Sequence, residues 1–185
     1  RYDQAWTRAH VTNAHRTLRD TLASARPTLV AGSTWPADEA HLLEAWLAVR
    51  AQIPSVRLLI APHEIDPEHV RTLQAWSERH GMVSTLIVPP SEASTPMDAA
   101  DVIIVNTTGV LAELYELATV AYVGGGFHRA GLHSVVEPAV FSVPTLVGPN
   151  HHASRDATLM RHAGGVIAVA NAHDLTTALL RLFQS

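Results

Sequence analysis

Runs of consecutive apolar residues, rich in valine, isoleucine and leucine, recur along the chain. They are "TLVAGS" (Thr28–Ser33), "VRLLIAP" (Val56–Pro62), "STLIVPP" (Ser84–Pro90) and "DVIIVN" (Asp101–Asn106), then "VAYVGGG" (Val120–Gly126), "PTLVGP" (Pro144–Pro149) and "GGVIAVA" (Gly164–Ala170). Their apolar positions do not alternate with polar ones, which is the pattern of strands covered on both faces and hence of a parallel sheet. Between them lie "DEAHLLEAWLAVRAQ", "DPEHVRTLQAWSERH", "GVLAELYELA" and "DATLMRHA", with helical spacing or helix-favouring composition, and "AHDLTTALLRLFQ" closes the chain as a helix. Strand and helix alternate throughout. The pattern predicts a doubly wound, mostly parallel α/β domain of Rossmann-like type over residues 26–185. Residues 1–25 are predicted to form an amphipathic helix or linker ahead of it, and "SEASTPMD" (Ser91–Asp98) an internal loop.

Composition narrows the chemistry. The 185 residues suffice for one substantial core, and the net charge of −4 gives no broad basic face for nucleic acid. All 13 basic residues are arginine, and cysteine is absent, so disulfides, thiolate metal sites and a cysteine nucleophile are excluded. No stretch approaches the length of a membrane span, and no signal peptide is visible. The chain starts at Arg1 and enters a helical pattern at once, as expected of a piece of a longer protein.

In a doubly wound sheet, ligands sit outside the carboxyl ends of the strands. The unusual residues of this chain fall there: "GST", "PHE", "NTTG" and "GGGFHRAGLHSVVEP" each follow a predicted strand. Gly124, Gly125 and Gly126 fit either a tight turn or backbone cleared for a ligand. Ser134 and Glu137 have the S-x-x-E spacing of a capping box, and the same helix start suits a phosphate on its amides and a carboxylate on ribose hydroxyls. His133 reads as a donor to phosphate or sugar, or as a packed loop histidine. Asp66 and Pro67 predict a capped helix start, while His63 and Glu64 are placed either at a pocket or in plain loop. Thr107, Thr108 and Gly109 make a helix entry whose amides suit an anion or a base edge. Ser33 or Thr34 is expected to cap the helix that Pro36 helps start, with Trp35 a sugar platform or ordinary packing. The spacings of His128, His133, His151 and His152 match no zinc pattern, so no metal is expected. There is no G-x-G-x-x-G, no P-loop and no G-x-S-x-G elbow, which argues against NAD, phosphoryl transfer from a P-loop, and serine hydrolase chemistry.

Taken in order, these motifs resemble the carboxyl-terminal half of the 3-deoxy-D-manno-octulosonic acid (Kdo) transferases. "RYDQAWTRA" is similar to the family's interdomain segment and "GSTWPADE" to its G-S-T-[HW]-x-x-[DE]-E element. "LLIAPHEID" resembles the donor loop in the version with P-H-E, where many members have P-R-H. "NTTGVLAELY" resembles D-x-x-G-E-L-x-x-L-Y, with Asn106 for the aspartate and Val110 for the glutamate. "AYVGGGFHRAGLHSVVEPAVFSVPTLVGPN" resembles the V-G-G-[GS]-[FL]…G-x-H-N-x-x-E-P-A…G-x-P-x-x-x-G-P-N block, with Ser134 for the asparagine and Ser142 for a glycine.

The resemblance implies the second Rossmann-like domain of a GT-B glycosyltransferase, which binds the donor CMP-Kdo. It implies inverting sugar transfer with neither metal nor cofactor. Glu137 would meet the ribose, amides around Thr108, Gly109 and Ser134 the phosphate, and the Pro62–His63 loop the cytosine or phosphate. Ser33, Thr34, Gly125, Gly126, Arg129 and His133 are further candidates for sugar or phosphate contact. The catalytic base, the site for the lipid A precursor and the membrane anchor would lie in an amino-terminal half outside this chain. The full protein would then work at the cytoplasmic face of the bacterial inner membrane, and this fragment alone would be soluble and inactive. Two alternatives stand beside it: the corresponding domain of a glycosyltransferase using a UDP-sugar, and a nucleotide-binding module without catalysis.

Overall fold

The computed structural model describes residues 13–87 and 97–185. Seven strands form one sheet in the order β3-β4-β2-β1-β5-β6-β7, and every neighbouring pair is parallel. The strands are β1 (Thr28–Thr34), β2 (Arg57–Pro62), β3 (Ser84–Ile87), β4 (Val102–Val105), β5 (Val120–Val123), β6 (Thr145–Val147) and β7 (Val166–Ala168). Each predicted strand is present: β1 runs one residue beyond its predicted end, to Thr34, β2 begins one residue later, at Arg57, and β4, β5, β6 and β7 are shorter than predicted. The predicted continuation of β3 to Pro90, and most of the loop from Ser91, lie outside the described residues, as do residues 1–12. Met97 and Asp98, expected in that loop, open a 3-10 turn.

The helices are α1 (Asn13–Leu22), α2 (Pro36–Gln52), α3 (Pro67–Arg79), α4 (Leu111–Leu114), α5 (Val136–Ala139), α6 (Arg155–His162) and α7 (Ala172–Phe183). Asp66, Ser154 and Asn171 cap α3, α6 and α7 by accepting the amides of His69, Ala157 and Asp174. The stretch predicted as one helix from Gly109 divides instead into α4 and a 3-10 turn over Tyr115–Leu117.

Alternate side chains of each strand enter opposite cores. Leu29, Ala31, Leu58, Ile60, Ile104 and Tyr122 face Leu42, Trp46 and Leu175 on one side. Val30, Leu59, Ile103, Ala121 and Val123 face Leu22, Leu114 and Tyr115 on the other. Burial on both faces is what the continuous apolar runs required. Ser142, which stands where the resembling family has glycine, has φ +58°. It holds a left-handed conformation that strains a side chain.

Candidate functional site

The sheet order reverses between β1 and β5: the chain leaves β1 toward β2 and leaves β5 toward β6. The crevice outside the carboxyl ends of these two strands is the switch point at which open α/β sheets bind ligands. "GST" and "GGGFHRAGLHS" sit on its two sides.

Backbone packs on backbone there. The pairing of β1 with β2 shifts register between Gly32 and Thr34, and Ser33 bulges out at φ +53°. The Gly124 amide donates to the Gly32 carbonyl at 2.9 Å. A Cβ on Gly124 would lie 2.1 Å from the Ser33 oxygen, one on Gly125 2.1 Å from the Gly131 oxygen, and one on Gly126 2.4 Å from the Gly148 nitrogen. The three glycines therefore form a corner, and protein fills the side on which their Cβ atoms would stand.

Asp38, fully buried in the first turn of α2, fastens this corner. Its Oδ1 accepts from the Tyr122 hydroxyl (2.9 Å) and the Phe127 amide (3.0 Å). Its Oδ2 accepts from the Gly125 amide (2.8 Å) and the Trp35 amide (3.0 Å). Burial, together with the Asp38 charge, drives Tyr122 ionisation far above the usual tyrosine range. One carboxylate thus ties the helix start, the β5 side chain and the glycine loop into one unit. The sequence reading gave Asp38 no role, although it fills the first acidic position of the G-S-T-[HW]-x-x-[DE]-E element and stands as an acid two residues after a helix-starting proline. The helix-start position accounts for the bond to Trp35 and none of the other three.

Around this anchor stand four rings. The Trp35 indole stacks on His63 (centroids 4.4 Å apart, planes at 29°) and on His128 (4.1 Å, 7°). Its Nε1–H donates to His133 Nε2 at 3.2 Å, and the His63 and His133 rings lie 4.4 Å apart. Burial, with His63 second and His128 also contributing, lowers the His133 pKa, while Asp38 opposes them. Among the described residues, no group of three or more histidine and acidic side chains is placed to hold a metal ion.

The expected capping of α2 by Ser33 or Thr34 is not what forms. Trp35 is the N-cap residue, and Asp38 reaches back to its amide. Thr34 is buried and donates to Glu39 Oε1 at 2.7 Å, while Glu39 Oε2 lies 2.8 Å from His69 Nε2. The hydroxyl of Thr34 is therefore engaged inside the fold, and the Gly125 amide is taken by Asp38. The Ser134–Glu137 capping box is also absent: α5 begins at Val136 with Val135 before it, and Ser134 is exposed one residue further out. The chain enters α5 too late because His133 is pinned to the corner, its amide donating to the Gly124 carbonyl at 3.1 Å. Similarly, Val110 rather than Thr107 or Thr108 precedes α4.

Of the other predicted positions, Pro62 is buried at the end of β2, opposite Thr34. The amide of exposed His63 donates to the Thr34 carbonyl at 2.8 Å. Glu137 is half-buried in α5, and its charge, after burial, helps raise the Tyr115 pKa far above the usual range. The Tyr115 hydroxyl lies against Gly32, within 2.1 Å of where its Cβ would stand, so Glu137 borders the same crevice. Thr108 and Gly109 are exposed beyond β4, with open space beside Gly109. Arg129 is exposed on the glycine loop. The structure thus brings together Ser33, Thr34, His63, Gly125, Gly126 and His133. Thr108 and Gly109 lie on the far side of β2, at the same edge of the sheet.

No family model matches the chain. Among curated proteins it is 27% identical, over 157 residues, to the 3-deoxy-D-manno-octulosonic acid transferase of Aquifex aeolicus, covering 84% of this chain and 42% of that protein. It is 33% identical over 137 residues to the protein of the same name from Chlamydophila psittaci, covering 73% of this chain and 29% of that one. The chain spans less than half the length of these relatives. Among solved structures, the C-terminal CMP-Kdo binding domain of WaaA from Acinetobacter baumannii superposes with a TM-score of 0.74 at 21% identity, covering 92% of this chain and 87% of that one. The fold expected of a GT-B carboxyl-terminal half is the fold found.

Proposed function

We propose that this chain, whose curated relatives are named Kdo transferases, is the donor-nucleotide domain of such an enzyme and binds CMP-Kdo in the crevice between β1 and β5. The observation that carries this reading is the fit between two independent facts. The motifs shared with the family fall on four separate loops, and the sheet gathers those loops on one edge around its switch point. The relatives' name supplies the sugar, and the name of the Acinetobacter domain supplies the nucleotide.

On this reading residues 26–185 are the donor domain and residues 1–25 lead in from an acceptor domain. That domain would bind the lipid A precursor, carry the base and the membrane anchor, and keep the whole protein at the inner membrane. Glu137 accepts the ribose hydroxyls, and exposed amides near Gly109 and Ser134 meet the phosphate. His63, His133 and Trp35 line the wall beside it. Expelling CMP requires stabilising charge on a departing phosphate, and oriented donors in a partly dry crevice supply it without a metal. The chain alone binds donor and leaves acceptor chemistry to the missing half.

Calorimetric titration tests this. CMP is expected to bind in the millimolar range or tighter, with UMP and AMP at least about tenfold weaker, a difference of about 1.4 kcal/mol. Glu137→Gln should weaken CMP by about tenfold, the loss of one charge-assisted hydrogen bond. A preference for UMP or UDP would transfer the domain to a UDP-sugar enzyme. CMP affinity unchanged in Glu137→Gln would remove the ribose role.

A further inference from the structure

The loops bearing the four rings contain one arginine, Arg129, and the whole chain contains no lysine. Permanent positive charge at the crevice is therefore sparse, although the proposed ligand is an anion. Three imidazoles stand there instead, and hydrogen bonding sets two of them apart from the third. His133 Nε2 accepts the Trp35 indole N–H, so a proton at that nitrogen breaks the bond. His128 Nδ1 accepts the Ala130 amide at 3.2 Å, which opposes a second proton in the same way. His63 is exposed, and neither of its ring nitrogens is tied by a hydrogen bond among the described residues. Its ring stacks on Trp35, with the centroids 4.4 Å apart.

We propose that His63 is a proton-linked anion receptor: it takes up a proton as the phosphate of the nucleotide binds, so that affinity rises as pH falls. This deepens, and rests on, the donor-nucleotide reading. The charged and titratable groups around His63 are consistent with it. His133 faces it across 4.4 Å and Glu64 follows it in the chain. Trp35 stacks on both His63 and His128, Arg129 is exposed on the glycine loop, and Asp38 accepts four neutral donors while its charge still acts on His133. His133, whose Nε2 already accepts the indole N–H, offers no negative charge to balance a cation at His63. A bound phosphate would supply the opposite charge within reach of the imidazole and so favour its charged form over its neutral one.

The test uses the chain as it stands and cytidine 5′-methylphosphate, a phosphodiester whose single charge does not titrate in the range examined. CMP itself is unsuitable, since its second phosphate ionisation falls near pH 6. Affinity is expected to be up to about tenfold higher at pH 6 than at pH 8, the effect of one unit of coupling. Calorimetry near pH 7 in buffers of different ionisation enthalpy should register net proton uptake. His63→Phe keeps a ring on Trp35 and should bind more weakly with no pH dependence. His63→Arg should bind equally well at both pH values. Affinity of the parent chain that is flat with pH, or a slope that survives in His63→Phe, overturns the proposal while leaving the donor reading intact. Absence of binding at every pH overturns both.

Discussion

Asp38→Ala is expected to destabilise the chain by about 3–5 kcal/mol and to remove nucleotide binding with it. The magnitude follows from the number of donors left behind. Asp38 is fully buried and accepts from Tyr122, Phe127, Gly125 and Trp35. Hydrogen bonds to a charged group contribute about 1.5–3 kcal/mol, and an orphaned buried donor costs about 1–3 kcal/mol. Movement of the loop toward water relieves part of the sum. A marginally stable domain has only about 5–15 kcal/mol to lose. Asp38→Asn should lie between: its carbonyl oxygen still accepts, while its NH2 group faces donors. Chemical denaturation measures both variants. A value for Asp38→Ala within 1 kcal/mol of the parent would mean that the carboxylate does not hold the corner.

Gly124→Ala is expected to cost about 3 kcal/mol, at the upper end for overpacking, because the obstructing atoms are backbone and cannot rotate away. The added Cβ would meet the Ser33 oxygen at 2.1 Å, the Ser33 carbonyl carbon at 2.7 Å and the Thr34 Cα at 2.8 Å. Relief requires β1 and β5 to part at the bulge, which also opens the Gly124–Gly32 hydrogen bond. Gly131→Ala is the comparison. Its Cβ would have nothing within 4 Å, but its φ of +89° disfavours a side chain, so it should cost only about 1 kcal/mol. Gly124 is not among the glycines with positive φ, so a loss there no larger than at Gly131 would show that the close backbone approach does not require glycine.

The two positions also mark how far the sequence could be read. Strand existence was legible because burial on both faces leaves an unbroken apolar run, as in Val102–Val105. Strand order was not, since nothing local tells β5 to return beside β1. The switch point, and with it the meeting of "GST" with "GGG", comes only from that order. The capping box at Ser134 failed for a related reason. Its spacing is a local rule, and a tertiary hydrogen bond from His133 to Gly124 overrides it. Thr34 was read as a cap and is instead buried against Glu39. The rings were each visible, but Trp35 and His133 are 98 residues apart, and no periodicity joins them. Asp38 was visible only as the acid of "GSTWPADE" and as an ordinary helix-start acid; the fold alone turns it toward the glycine loop.

The central claim is that the crevice between β1 and β5 holds a cytidine nucleotide. Amide chemical-shift mapping of the 15N-labelled chain during titration with CMP addresses it most directly. The account predicts saturable shifts confined to the amides of residues 33–35, 63–64, 107–110 and 124–137, Pro138 onward excluded, with the amino-terminal ends of the strands, such as Thr28, Arg57 and Thr145, unmoved. Shifts centred on that opposite edge, or none at millimolar CMP in a folded sample, would contradict it.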